Sequence, residues 1–164
     1  VSLAEAAAGT TRRLDVDGRR LEVTIPPGVR TGSKVRMRGE GPSGPGGTRG
    51  DLLLVVEVAP DPRFERDGND LRTTVSIPLH VAMLGGEVRV ATLQGEGHLR
   101  IPPETPAGKR FRLRGKGMPA LRGGARGDLL VAVAVELPRG LSDEERALFE
   151  RLRELREARG AAGA

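Results

Sequence analysis

The chain states one pattern twice, and this duplication limits its possible folds more than any other feature. Ile25-Pro26-Pro27, Gly32, Arg36, Arg38, Gly39 and Gly41 recur as Ile101-Pro102-Pro103, Gly108, Arg112, Arg114, Gly115 and Gly117, at the offset of 76 residues that separates Ile25 from Ile101. Leu3 and Gly9 match Leu79 and Gly85 at the same offset. One residue later in phase, Arg49-Gly50-Asp51-Leu52-Leu53 returns as Arg126-Gly127-Asp128-Leu129-Leu130. A unit of this length is too long for a solenoid repeat and long enough for a small domain, so two similar domains in tandem are expected. Such a pair suits the holding of an extended partner better than the housing of one reaction centre. The repeat also sets an expectation for the start of the chain. Residues 71–77 alternate apolar and polar and read as the first strand of copy two. Val1 matches Ile77, so the counterpart strand is expected before Val1, and the chain is expected to be a fragment cut inside or just after it.

Two small domains fit 164 residues, each with a modest core. Aromatic residues make up 2% of the chain, with no Trp or Tyr, so the cores are expected to be aliphatic. The absence of Cys excludes disulfides and thiolate zinc sites and fits a cytoplasmic setting. No apolar run approaches the roughly 20 residues of a membrane span, and no signal peptide is visible, so no membrane partner is expected. The net charge is +5, carried mostly by arginine. It admits nucleic acid or acidic partners beside the plainer reading of a soluble, Arg-biased protein.

Along the chain, residues 2–8 are Ala-rich and stop at Gly9, which reads as a short helix. Leu14-Asp15-Val16 and residues 21–25 alternate around Asp17-Gly18, a hairpin signal. Residues 35–38 alternate again, and residues 39–50 read as a mobile Gly/Pro loop. Residues 52–58 are almost continuously apolar, as expected of a strand buried on both faces. Copy two repeats this order, with a helix at 79–84 and strands at 88–90, 99–101, 111–113 and 129–135. The tail differs. Ser142 and Glu145 form a capping box, and Leu148, Leu152 and Leu155, with Phe149 beside them, make an apolar stripe on an otherwise charged helix. Spacing alone leaves open whether that stripe docks on its own domain or on a second chain. Residues 160–164 read as frayed.

Catalytic chemistry finds little support. Gly39-Glu40-Gly41-Pro42-Ser43-Gly44 matches a dinucleotide fingerprint by letter, but the prolines and glycines around it prevent the helix that such a site needs. His80 and His98 have no carboxylate or second His at ligand spacing in the sequence, so no metal site is expected. No hydrolase motif occurs. No catalytic residue and no cofactor are therefore expected. DNA is the more serious alternative partner, through Arg12-Arg13, Arg19-Arg20 and the repeated Arg-x-Arg-Gly. Three Phe residues are few for base stacking, however, and Arg36 and Arg38 alternate with Val35 and Met37 as on the solvent face of a strand.

Four stretches in order, IPPGVRTGSKVRMRGEG, GDLLLVVEVAPDPRFERDGNDL, LGGEVRVATLQG and RFRLRGKGMPALRGGARGDLLVAVAVELP, resemble the C-terminal region of J-domain co-chaperones, the DnaJ family. The resemblance covers essentially the whole chain. It implies a mainly β fold of two tandem, similar, β-sandwich-like domains with short helices, at 1–63 and 64–138, followed by a C-terminal amphipathic dimerisation helix and tail at 139–164. It implies a homodimer through Leu148, Phe149, Leu152 and Leu155. It also implies a shallow groove on the first domain that binds unfolded client polypeptides as an added strand. Matched residue by residue, that groove comprises Leu14, Val16, Leu21 and Leu54, with Arg12 at its rim. Taken without the resemblance, the same residues read as ordinary core. With no Cys, the chain is similar to the zinc-less class B members or to their nucleoid-associated, DNA-binding relatives. The J-domain with its His-Pro-Asp motif is absent from this sequence, so the chain by itself is not expected to stimulate the ATPase of its DnaK-type partner.

Overall fold

The computed structural model describes residues 1–162. In the first copy, α1 (Leu3–Ala8) leads into the hairpin β1 (Thr10–Val16) and β2 (Arg19–Ile25), followed by β3 (Lys34–Met37) and β4 (Leu52–Val55). The second copy runs through β5 (Glu65–Asp67), β6 (Asp70–Pro78), α2 (Leu79–Leu84), the hairpin β7 (Gly86–Thr92) and β8 (Gly95–Ile101), β9 (Arg110–Leu113) and β10 (Leu129–Glu136). A long helix, α3 (Asp143–Ala162), follows. The fold is mainly β: three two-stranded ladders (β1–β2, β3–β4, β7–β8) and one four-stranded sheet in the order β5-β6-β10-β9. Among the described residues no helix is long and apolar enough to cross a membrane.

Local chemistry explains the element ends. The Ser2 hydroxyl accepts from the Glu5 amide (3.1 Å), and the Glu5 carboxylate accepts from the Ser2 amide (2.8 Å), so α1 starts on a capping box that the sequence reading missed. Gly9, at φ 77°, ends it. Asp17 and Gly18 both take positive φ, the two-residue turn whose twist matches the flanking strands.

The repeated Arg-x-Arg-Gly and Arg-Gly-Asp motifs form one clasp in each copy. Asp51 accepts from the Gly39 amide (3.0 Å) and from Arg36 Nε (2.6 Å). Asp128 accepts from the Gly115 amide (2.9 Å) and from Arg112 (2.7 Å). The backbone N–H, and then the guanidinium, hold both carboxyls below the usual carboxylate range. Between the clasp partners of copy one, the expected loop is stitched internally: Gly41 donates to Gly50 (2.8 Å), Gly44 donates to Thr48 (2.8 Å), and Ser43 bridges Arg49.

β10 lies between β6, which it meets in parallel with Leu129 opposite Leu71 and Val135 opposite Ile77, and β9, which it meets antiparallel. Its inward residues Leu129, Val131 and Val133 are at most 2% exposed. Buried residues form one cluster drawn from both copies. The expectation of purely aliphatic cores needs correcting: Phe64 is buried, with Arg63 stacked 5.0 Å from its ring centre. Phe64 and Leu3 of the first copy line the same crevice, so a single large ring helps fill the junction between the copies.

The strand expected over 52–58 is also corrected. β4 stops at Val55, and its outer face is open, with Leu53 52% and Val55 65% exposed. Among the described residues β4 pairs only with β3. Val1 reaches its far side beyond the strand end, donating to the Glu57 carbonyl (2.8 Å) and accepting from the Ala59 amide (2.8 Å).

At the tail, Ser142 and Glu145 make the expected capping box (3.0 and 3.1 Å). α3 runs on through Gly160 to Ala162, so the expected fraying at 160–162 does not occur; residues 163 and 164 lie outside the described residues. Every residue from 143 to 161 is exposed, which removes docking of the stripe on its own domain.

Two outcomes follow. Leu129→Ala should cost about 2–5 kcal/mol in urea unfolding, whereas Leu53→Ala, one place along in the matching motif, should stay within about 0.5 kcal/mol. Since both clasp carboxyls have depressed values in the folded state, their stabilisation is present above the ordinary carboxylate range and is lost as pH falls through the folded values. The Asp51→Asn/Asp128→Asn protein should therefore be less stable than the parent at neutral pH, and the gap between their urea midpoints should close as the pH drops below the carboxylate range. A gap independent of pH would contradict the clasp.

Candidate functional site

The β1–β2 hairpin presents one face made of Thr10, Arg12, Leu14 and Val16 on β1 and Arg19, Leu21, Val23 and Ile25 on β2, because alternate strand residues share a side. Register brings several expected site residues together. Leu14 lies opposite Leu21, Arg12 opposite Val23 and Val16 opposite Arg19. Burial falls along the hairpin: Val23 and Ile25 are buried, whereas Leu14, Leu21 and Val16 are half-buried towards the tip. Leu14 packs against the buried cluster, but Val16 and Leu21 are not among the residues packed on it, so the apolar surface they expose is not taken up by the core.

Leu54 sits apart, on the β3–β4 ladder opposite Val35, and packs on the core. Its neighbours Leu53 and Val55, which the sequence reading passed over, carry the exposed surface of that strand. Strand alternation alone could have flagged them, since Leu53 and Leu54 must face opposite sides.

Arg12 is half-exposed at the hairpin face, but its guanidinium is engaged: Nη2 donates to both carboxylate oxygens of Glu5 (2.7 Å each). The Glu5 carboxyl is held below its ordinary range by the Ser2 amide first and then by Arg12. Arg12 thus ties β1 to α1. At the hairpin tip, Arg19 reaches the Glu40 carboxylate (2.7 Å) and carbonyl (3.2 Å), tying the hairpin to the stitched turn. Arg36 is taken up by Asp51.

His98 meets a carboxylate that is distant in the sequence. This residue lies inside β8, and Nδ1 is 3.4 Å from Glu87 across the β7–β8 ladder, in an exposed pair. Among the described residues no group of three or more His, Asp or Glu side chains gathers to hold a metal.

The second expected site is α3. Leu148, Phe149, Leu152 and Leu155 stand on one side of a helix that touches little else, and all four are exposed. Among the described residues they form the longest uncovered apolar stripe on a helix. The helix has charged flanks, with Asp143, Glu144 and Glu145 in its first turn and Arg159 in its last, an order that suits the helix dipole.

Comparison with known proteins agrees with this architecture. The family model described as the DnaJ C terminal domain matches residues 1–138. Chaperone protein DnaJ of Deinococcus proteolyticus is 48% identical over 155 residues, covering 94% of this chain and 48% of that protein. Chaperone protein DnaJ 2 of Thermus thermophilus is 46% identical over 159 residues, covering 97% of this chain and 55% of its own length. Chaperone protein DnaJ of a Roseiflexus species is 49% identical over 137 residues, covering 82% of this chain and 36% of that protein. The chain thus spans about half the length of the first two relatives. With both copies of the repeat, the hairpins and the clasps inside the matched span, the chain belongs to the DnaJ C-terminal domain family.

Proposed function

We propose that this chain is the client-holding and dimerising part of a DnaJ-type co-chaperone. In this reading residues 1–63 bind clients, 64–138 form a second β domain, and 139–164 dimerise. The observation that carries it is the part-exposed apolar surface of Val16 and Leu21 on a hairpin face whose other apolar residues, Leu14, Val23 and Ile25, are taken up by the core. An extended, unfolded segment laid along this hairpin would cover that surface. Leu14 and Leu54 back the groove from the core side, and Arg12, fixed by Glu5, marks its rim.

Each client Leu buried in such a groove contributes about 1.5–3 kcal/mol. A few contacts therefore give weak, reversible holding, and two grooves on a dimer raise avidity through effective concentration. Nothing in this cycle needs a catalytic residue. The relatives named as chaperones support the same reading. In it, the partner that receives the client is a DnaK-type chaperone. Dimerisation would cover the α3 stripe, whose exposure in a single chain otherwise costs solubility.

Two measurements test this. A labelled unfolded polypeptide should bind with an affinity that resists salt. It should bind roughly tenfold more weakly, about 1.4 kcal/mol, to Val16→Ser/Leu21→Ser and unchanged to Leu53→Ser. Equal losses for both variants, or binding abolished by salt, would remove the hairpin groove. In sedimentation equilibrium, Leu148→Asp/Leu152→Asp should convert a dimer to a monomer while leaving the urea midpoint of the β body in place. A parent chain that is already monomeric at high concentration would contradict the role given to α3.

A further inference from the structure

One charged side chain near the junction of the two copies has no carboxylate partner among the described residues, and its geometry shows what occupies it. Arg66, on β5 of the second copy, is partly buried, and its guanidinium donates only to backbone carbonyls. Nη1 reaches Val29 O (2.8 Å), Nη2 reaches Gly28 O (3.4 Å), and Nε reaches Gly68 O (2.9 Å). Two of these carbonyls belong to the first copy and one to the β5–β6 turn of the second. Burial, and then the nearby Arg30, make the charged form of Arg66 less favourable than usual. Charge pairing therefore does not hold it there.

The same turn of the first copy is tightly fitted to the second. Gly28 takes φ 92°, and a Cβ on it would lie 2.7 Å from the Leu121 amide nitrogen and 2.8 Å from the Pro119 carbonyl. Val29 is buried, and Arg30 donates to the Asn69 side chain (3.1 Å). Asn69 in turn accepts from the Met118 amide (2.7 Å) through its carbonyl, so this turn and the 118–121 segment are cross-linked.

We infer that Arg66 is a positioning residue that fixes the angle between the two copies, its planar fork holding the Gly28-Val29 turn against the second copy. Arginine suits this task because its donors point in fixed directions from one plane, whereas a lysine offers a compact point charge. Among the described residues no backbone amide donates to the Gly28 or Val29 carbonyl, so Arg66 supplies the donors for this turn. The consequence for clients rests on the proposed function: a fixed angle fixes the span over which one extended chain can touch both copies. The angle itself does not depend on that reading.

The native chain contains no Cys, so spin labels can be placed cleanly at Glu22→Cys on β2 and Glu96→Cys on β8, both exposed. With labelled protein diluted into unlabelled chain, distances within one molecule are read. The parent should give one narrow distance distribution. Arg66→Met should give a broadened distribution or a second, longer population, with unchanged strand content by circular dichroism. Arg72→Ala, whose partner is Asp67, should leave the distribution narrow. A narrow, unshifted distribution in folded Arg66→Met would overturn the inference. If Arg66→Met does not fold, Arg66→Lys decides by the same criterion: broadening supports the fork, and an unchanged distribution overturns it. Because the readout is a distance, its failure leaves the client-binding reading to its own test.

Discussion

Parallel pairing of β6 with β10 is the constraint on which the second copy depends. It joins residues about 58 positions apart, Leu71 to Leu129 and Ile77 to Val135, and everything between them is a closed excursion. Closing a long excursion costs entropy that grows only slowly with length, so the pairing tolerates a helix, a hairpin and a stitched turn inside it. It also buries Leu71, Ile77, Leu129 and Val131 completely. The Asp128 clasp sits at the start of β10, where the Asp128 amide also donates to Asp70 (2.8 Å), so the long turn is closed at the point where the pairing begins.

Much of this was legible in the sequence because it is local. The Asp17-Gly18 turn, the Ser142/Glu145 cap and the alternation of β1, β2 and β6 each follow from a few adjacent residues. What was not legible depends on partners distant in the chain. Residues 52–58 and 129–135 have nearly the same apolar letters, yet one strand has neighbours on both sides and the other pairs on one, and no window of sequence distinguishes them. β5 was missed because three polar residues carry no period; only its pairing with β6 makes it a strand.

The candidate site shows the same division. That Leu14, Val16 and Leu21 share a face was readable from the period of two and the turn between them. Which of the three is spent on the core was not, since Leu14 packs inward and Leu21, directly opposite, does not. Leu54 joins them only through the family resemblance, and it stands on a separate ladder. The exposed stripe of α3 was read correctly as apolar, but only the structure shows that its own domain does not cover it.

The junction also gives the duplicated chain a polarity. The position of Gly28 in copy one is held in copy two by Glu104, which keeps a left-handed backbone at φ 57° but stands exposed. Gly28 can seat against Leu121 because it has no side chain; Glu104 cannot present the same surface. Copy two therefore does not repeat, at its own corresponding turn, the contact through which copy one meets it. The junction is thus directional: copy one supplies the Gly28 turn, and copy two supplies the surface that receives it.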